Sequence, residues 1–176
     1  MRPAPIALAL SLAAASAIAA ENPPTAQIQL KNAAGASVGS ATLRPGPGGV
    51  LLRVEVKGLA PGWHGLHFHE TGDCSKSDFT SAGAHVHGQP NKVHGLLNPD
   101  FNEAGDLPNL FVGADGVGAA EVFSSFVTLT GGKAGAPALA DADGSALVIH
   151  ANPDDYMSQP IGGAGARIAC GVISGQ

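Results

Sequence analysis

The 176-residue chain predicts an all-β protein, an antiparallel sandwich or barrel, on three grounds. Period-two alternation of apolar and polar residues recurs, helical periodicity is nearly absent, and turn residues punctuate the chain at short intervals. Ala26, Ile28 and Leu30 alternate with Gln27, Gln29 and Lys31. Leu52, Val54 and Val56 likewise alternate with Arg53, Glu55 and Lys57, as expected of strands with one face in a core and one in water. Leu66 and Phe68 oppose His67 and His69, and residues 117–123, 126–129, 146–150 and 167–173 are further strand candidates. Pro45-Gly46-Pro47-Gly48-Gly49, Pro61-Gly62, Gly131-Gly132 and Asp143-Gly144 supply the turns between them.

Residues 1–20 are expected to be a secretory signal peptide and residues 21–176 a single domain. Arg2 gives a short positive end, the apolar stretch from Ile6 to Leu12 is too short to cross a bilayer, and Ala17-Ile18-Ala19 offers a small-x-small cleavage site. A retained lipid anchor is the competing reading, but no cysteine stands at the cleavage point. Export, to the periplasm, would place the only two cysteines, Cys74 and Cys170, in an oxidising space that pairs them. With 13% charged residues, a net charge of -5 and no Lys/Arg-rich run, nucleic acid is excluded as a partner, and no later segment is apolar enough for a membrane span. Abundant glycine (25) and proline (13) suit a β protein with many turns.

Two segments break the strand rhythm, one from Gly72 to about Leu110 and one from Asn152 to Ala166. Both are rich in glycine and proline, and loops of that length inside one domain usually carry function. All seven histidines lie between His64 and His150, mostly where strands meet these loops. On a strand, His67 and His69 point to one face, so both imidazoles can meet one metal while Phe68 enters the core. His85, His87 and His94 follow in the first loop with Asp106, and His150 ends an apolar strand. Imidazole-rich sites suit copper and zinc, and a carboxylate in place of one imidazole suits zinc better.

Gly62-Trp63-His64-Gly65-Leu66-His67-Phe68-His69, followed by Gly72-Asp73-Cys74, resembles the copper-binding strand of the copper-zinc superoxide dismutases. Ser81-Ala82-Gly83-Ala84-His85 resembles the segment with their bridging histidine, and Gly105-Asp106-Leu107-Pro108-Asn109 the end of their zinc loop. Leu147-Val148-Ile149-His150 with Asp154-Asp155, and the stretch from Gly162 to Ile173, resemble their last copper ligand and closing strand. Cys74 directly after Gly-Asp, and the short loop with Tyr156-Met157-Ser158-Gln159-Pro160, are similar to the bacterial periplasmic branch.

The resemblance implies a Greek-key barrel of about eight strands with two long functional loops, acting as a monomer or homodimer on the small anion superoxide. It implies copper held by His67, His69, His85 and His150, and zinc held by His85, His94 and Asp106, with the His85 imidazolate shared. Asp154 would hydrogen-bond one histidine of each site, Cys74–Cys170 would pin the first loop to the barrel, and Arg167 would attract and orient the anion. The implied reaction oxidises one superoxide to O2 and reduces a second to hydrogen peroxide, with His85 able to supply a proton. Lys76, Lys92 and Lys133 are candidates to shape a local attractive field.

The chain departs from the family where a third zinc histidine is expected, because Glu103 stands there. Glu103 can ligate zinc through oxygen, His87 can replace it, or zinc can be absent. The interval from His85 to His94 is one residue longer than expected, and His64 is expected to be structural or exposed. A periplasmic copper-buffering protein on the same scaffold is the alternative function, and it would need neither Arg167 nor an open copper position. A zinc hydrolase is a third reading that four copper-type histidines fit poorly.

Overall fold

The structure, a computed structural model, describes residues 25–174; the expected signal peptide lies outside them. Nine antiparallel strands form one sheet: β1 (Ala26–Lys31), β2 (Ser37–Gly46), β3 (Gly49–Lys57), β4 (Gly62–His64), β5 (Leu66–His69), β6 (Leu110–Val112), β7 (Val117–Ser124), β8 (Ser145–His150) and β9 (Arg167–Ile173). Their order across the sheet is β4-β6-β7-β3-β2-β1-β9-β8-β5. β4 and β5 sit at opposite ends of that order, yet only Gly65 separates them in the chain. The sheet must therefore curl until its ends meet, which makes it a nearly closed barrel with few exposed edges.

Alternation sets the wall of this barrel. Ile28, Leu30, Leu43, Leu52 and Val54 are buried, while Gln27, Gln29, Arg53 and Glu55 between them face water. The β2–β3 hairpin turns at Pro47-Gly48, with Gly46 paired to Gly49, as the run of Pro and Gly predicts. β8 is buried along its whole length. It lies between β5 and β9, and the two long loops close over that end. Phe68 is fully buried in the main core cluster, where truncation to alanine would cost about 3–5 kcal/mol.

One expectation is corrected and two are made specific. The expected barrel of about eight strands has nine among the described residues, of which the three-residue β4 and β6 are too short to show alternation. Residues 126–129 do not form a strand: Val127 and Leu129 are buried, but only Thr128 pairs, in an isolated parallel bridge to Ala138. Burial without a continuous neighbouring strand gives the apolar pattern without the ladder. His64 is buried, its Nδ1 2.7 Å from the His150 carbonyl and its Nε2 2.8 Å from that of Ala60, so it braces β4 against the end of β8.

Candidate metal centre

β5 carries His67 and His69, and β8, paired to it antiparallel, ends in His150. The free edge of β5 is covered by the first loop rather than by another strand. The Phe68 N–H donates to the Gly105 carbonyl (2.8 Å), and the Val86 N–H donates to the Phe68 carbonyl (2.9 Å). Isolated bridges pair His67 with Asp106 and His69 with His85. The backbone demand of an exposed strand edge thus draws the loop residues against the two strand histidines.

The ring nitrogens divide into two sets. On the outer side, His69 Nδ1–H donates to the Gly83 carbonyl (3.0 Å) and His150 Nδ1–H to the Gly165 carbonyl (3.0 Å). His67 Nε2–H donates to Asp154 Oδ2 (2.8 Å), and His85 Nδ1 faces Asp106 Oδ1 and Glu103 Oε2, each at 3.0 Å. On the inner side, His67 Nδ1, His69 Nε2, His85 Nε2 and His150 Nε2 are buried with no hydrogen-bond partner. Four orphaned buried nitrogens are costly unless something else bonds them. These four residues offer donor atoms within 4.8 Å of one another, an all-imidazole set that fits copper.

Beside it lies a carboxylate-rich set. His67, His85, His94 and Asp106 also bring donor atoms within 4.8 Å of one another. His94 Nδ1 is 2.8 Å from Asp106 Oδ2 and 3.2 Å from Glu103 Oε2. Glu103 is buried, and its Oε2 faces both imidazoles of this half. His87 is placed elsewhere: its Nδ1 lies 3.1 Å from the His85 carbonyl and 3.3 Å from Glu70 Oε2, on the partly exposed rim. Two imidazoles with two buried carboxylates fit zinc.

The second loop ties the halves together. Asp154 is buried and accepts from His67 Nε2 with Oδ2 and from His94 Nε2 (3.1 Å) with Oδ1. Its backbone is gripped by Asn109, whose Oδ1 accepts the Asp154 N–H (2.9 Å) and whose Nδ2 donates to the Asp154 carbonyl (2.8 Å). A Cβ at Gly162 would collide with the Asp154 carboxylate and the His94 ring, and φ there is +60°, so only glycine fits. Gln159 pairs with the main chain of His94 at both ends, accepting its N–H (3.0 Å) and donating to its carbonyl (2.8 Å).

Burial lowers the pKa of His67 to about 4 and that of His150 to about 3, and drives His69 down further still, so all three are neutral near pH 7, as ligands must be. Burial opposes charge on His94 too, but hydrogen bonds to Asp106, Asp154 and Glu103 outweigh it and push the pKa up to about 11. His85 is raised in the same way, burial being overcome by Asp106 and Glu103. Burial alone would raise Glu103, Asp106 and Asp154, but their histidine partners hold all three below the ordinary range. This half of the site carries an excess of buried negative charge that a cation would satisfy.

Arg167 stands at the start of β9, donating from Nη1 to the Phe79 carbonyl (2.5 Å) and from Nη2 to the Gly83 carbonyl (2.6 Å). Cys74 and Cys170 are disulfide-bonded across a separation of 96 residues, tying that stretch of the first loop to β9. Lys92 Nζ lies 3.5 Å from Glu70 Oε2, whereas Lys133 donates to the Gly48 and Ser125 carbonyls, on the β2–β3 hairpin side. Lys76 lines a cleft with both cysteines and β1. The anchors that sequence reasoning missed are backbone carbonyls (Phe79, Gly83, Gly165), which carry no side-chain signal, and the amides of Asn109 and Gln159, which look like ordinary loop residues.

Fold and site together define a class: an antiparallel β-barrel protein with two adjoining groups of buried metal donors that share His67 and His85. The family model described as copper/zinc superoxide dismutase matches residues 37–173. The chain is 62% identical over 139 residues to the Cu-Zn superoxide dismutase of Caulobacter vibrioides, covering 79% of each. It is 44% identical over 149 residues to Cu-Zn superoxide dismutase 2 of Aquifex aeolicus, covering 84% of this chain and 85% of that one. Among solved structures, a SOD-like protein from Bacillus subtilis aligns with a TM-score of 0.77 at 39% identity, covering 84% of this chain and 97% of that one. The Cu/Zn superoxide dismutase from Brucella abortus aligns with a TM-score of 0.66 at 30% identity, covering 86% and 100%. The chain belongs to the copper/zinc superoxide dismutase family, oxidoreductases that convert superoxide to oxygen and hydrogen peroxide with copper and zinc as cofactors.

Proposed function

We propose that this chain dismutates superoxide with copper held by His67, His69, His85 and His150, and zinc held by His85, His94, Asp106 and Glu103. The observation that carries the copper half is the set of four buried, partnerless nitrogens, each on a ring whose other nitrogen is already bonded. Glu103 takes the place of the third zinc histidine because its Oε2 lies within 3.2 Å of both His85 Nδ1 and His94 Nδ1. His87, turned to Glu70, stays outside the set.

Copper, when bound, supplies one-electron chemistry that lets one superoxide be oxidised and the next reduced. The protein's residues do the rest. Arg167, fixed by two carbonyls, holds a permanent positive charge for a small anion on a chain whose net charge is -5, so attraction has to be local. His85 Nε2, on a ring fixed through Nδ1 by Asp106 and Glu103, is the atom at which a proton for the product can be held. Asp154 orients one imidazole in each half, as carboxylates behind metal-bound histidines do. A buffering role is not favoured, since a fixed Arg167 has no use in storage.

The domain is taken to run from residue 21 to residue 176, exported to the periplasm after loss of residues 1–20; the disulfide supports an oxidising compartment. Elemental analysis after reconstitution with both metals and dialysis tests the ligand assignment, alongside a formazan assay for superoxide. One copper and one zinc per chain are expected, with Glu103→Ala losing zinc but keeping copper, and His87→Ala keeping both. Zinc retained by Glu103→Ala and lost by His87→Ala would overturn the zinc set, and full copper with negligible turnover would leave the buffering reading standing.

A further inference from the structure

Glu70, which follows His69 directly, is absorbed by none of the roles above. Its main-chain N–H donates to the Ala84 carbonyl (2.9 Å), and its Oε1 accepts the Ala84 N–H (3.0 Å). The carboxylate thereby completes the pairing of β5 with the loop at the point where no carbonyl is offered. Its Cγ and Oε1 occupy the space of a Gly83 side chain, 2.8 and 2.9 Å from an ideal Cβ, at a residue whose φ is +76°. Gly83 is the residue whose carbonyl accepts from both His69 Nδ1 (3.0 Å) and Arg167 Nη2 (2.6 Å). Glu70 Oε2 faces outward to His87 Nδ1 (3.3 Å) and Lys92 Nζ (3.5 Å), which orient the carboxylate.

We propose that Glu70 is a positioning residue: it clamps the Gly83–Ala84 turn, so that one carbonyl holds the copper ligand His69 and the anion-guiding Arg167 in fixed relation. The inference rests on the copper and Arg167 roles given above. The physical need is plain, because Gly83 has no side chain to brace its peptide and its carbonyl must serve two donors at once. A carbonyl free to tilt would loosen the His69 ring and the guanidinium together.

The test compares Glu70→Ala, Glu70→Gln and Arg167→Ala in the copper- and zinc-loaded protein. The readouts are the Cu(II) electron paramagnetic resonance spectrum and azide binding, with azide as a small-anion probe followed by visible absorption. Glu70→Ala is expected to shift the copper spectrum and weaken azide binding by roughly 10-fold, the scale on which partners behind a metal ligand act. Glu70→Gln keeps an oxygen for the Ala84 N–H and is expected to restore the spectrum and most of the affinity. If Glu70→Ala and Glu70→Gln change together, charge rather than the clamp is responsible and the inference is overturned. An Arg167→Ala effect on azide without a Glu70→Ala effect overturns this inference alone. No effect in either variant overturns the Arg167 role as well, and a Glu70→Ala effect on azide without one in Arg167→Ala refutes coupling through Gly83.

Discussion

Reducing the Cys74–Cys170 bridge should destabilise the barrel and loosen Arg167, the proposed anion guide, at once. The bridge spans 96 residues, and in the chain-entropy model a loop of that length is worth about 4.7 kcal/mol at 25 °C. For a domain of this size each kcal/mol moves the melting temperature by about 2–4 °C, so the fall should be about 9–19 °C. The cysteines join the loop segment that carries the Phe79 carbonyl to β9, whose first residue is Arg167. Comparing oxidised and reduced metal-free protein in urea isolates the stability effect, because no residue changes and no metal confounds the transition. The metal-loaded protein, assayed at low salt before and after reduction, reports on Arg167. A loss below about 2 kcal/mol would mean that the entropic account of this bridge is wrong. Full activity after reduction would mean that the Phe79 and Gly83 anchors hold without the bridge.

Four further outcomes are expected. Asp154→Asn should weaken zinc and copper retention by about 10–100-fold, measured by competition with a chelator, because it removes the charge holding His67 Nε2 and His94 Nε2; unchanged affinity for both metals would refute its linking role. In metal-free protein, His67 and His150 have folded pKa values of about 4 and about 3, below the ordinary 6.5, so the unfolded chain takes up protons first as pH falls. Their contribution to stability should therefore be full above about pH 6.5 and decline toward pH 4, by up to about 3 kcal/mol from His67 alone, in denaturant midpoints. His94 acts in the opposite direction: its pKa is raised to about 11, so its contribution is complete below about pH 6.5 and fades as pH rises toward 11. Zinc binding near pH 7 should accordingly release a proton, seen as a buffer-dependent heat in calorimetry; a heat independent of buffer would contradict the protonated His94. Arg167→Ala should keep both metals yet lose rate and salt sensitivity, and an unchanged rate at low ionic strength would remove its guiding role.

The sequence by itself determined the all-β class, because strands with one face buried must alternate, and β1 and β3 do so visibly. It also determined the metal chemistry, since five histidines and an aspartate fall in or beside the two long loops, and imidazole with carboxylate suits copper and zinc. Hidden from it were elements whose signal is too short or lies in the backbone. β4 and β6 have three residues each, and β2 alternates weakly where Ser, Gly and Pro interrupt it. Only the tertiary structure separates the surroundings of Glu103 from those of His87. Both stand at plausible spacing, but the edge of β5 pulls the loop into one register, which turns Glu103 onto His85 and His94 and leaves His87 on the rim with Glu70. It alone also showed that one carbonyl, at Gly83, holds both His69 and Arg167. A carbonyl is the same atom in every residue, so its partners are set by how the chain closes in space and by nothing written at its own position.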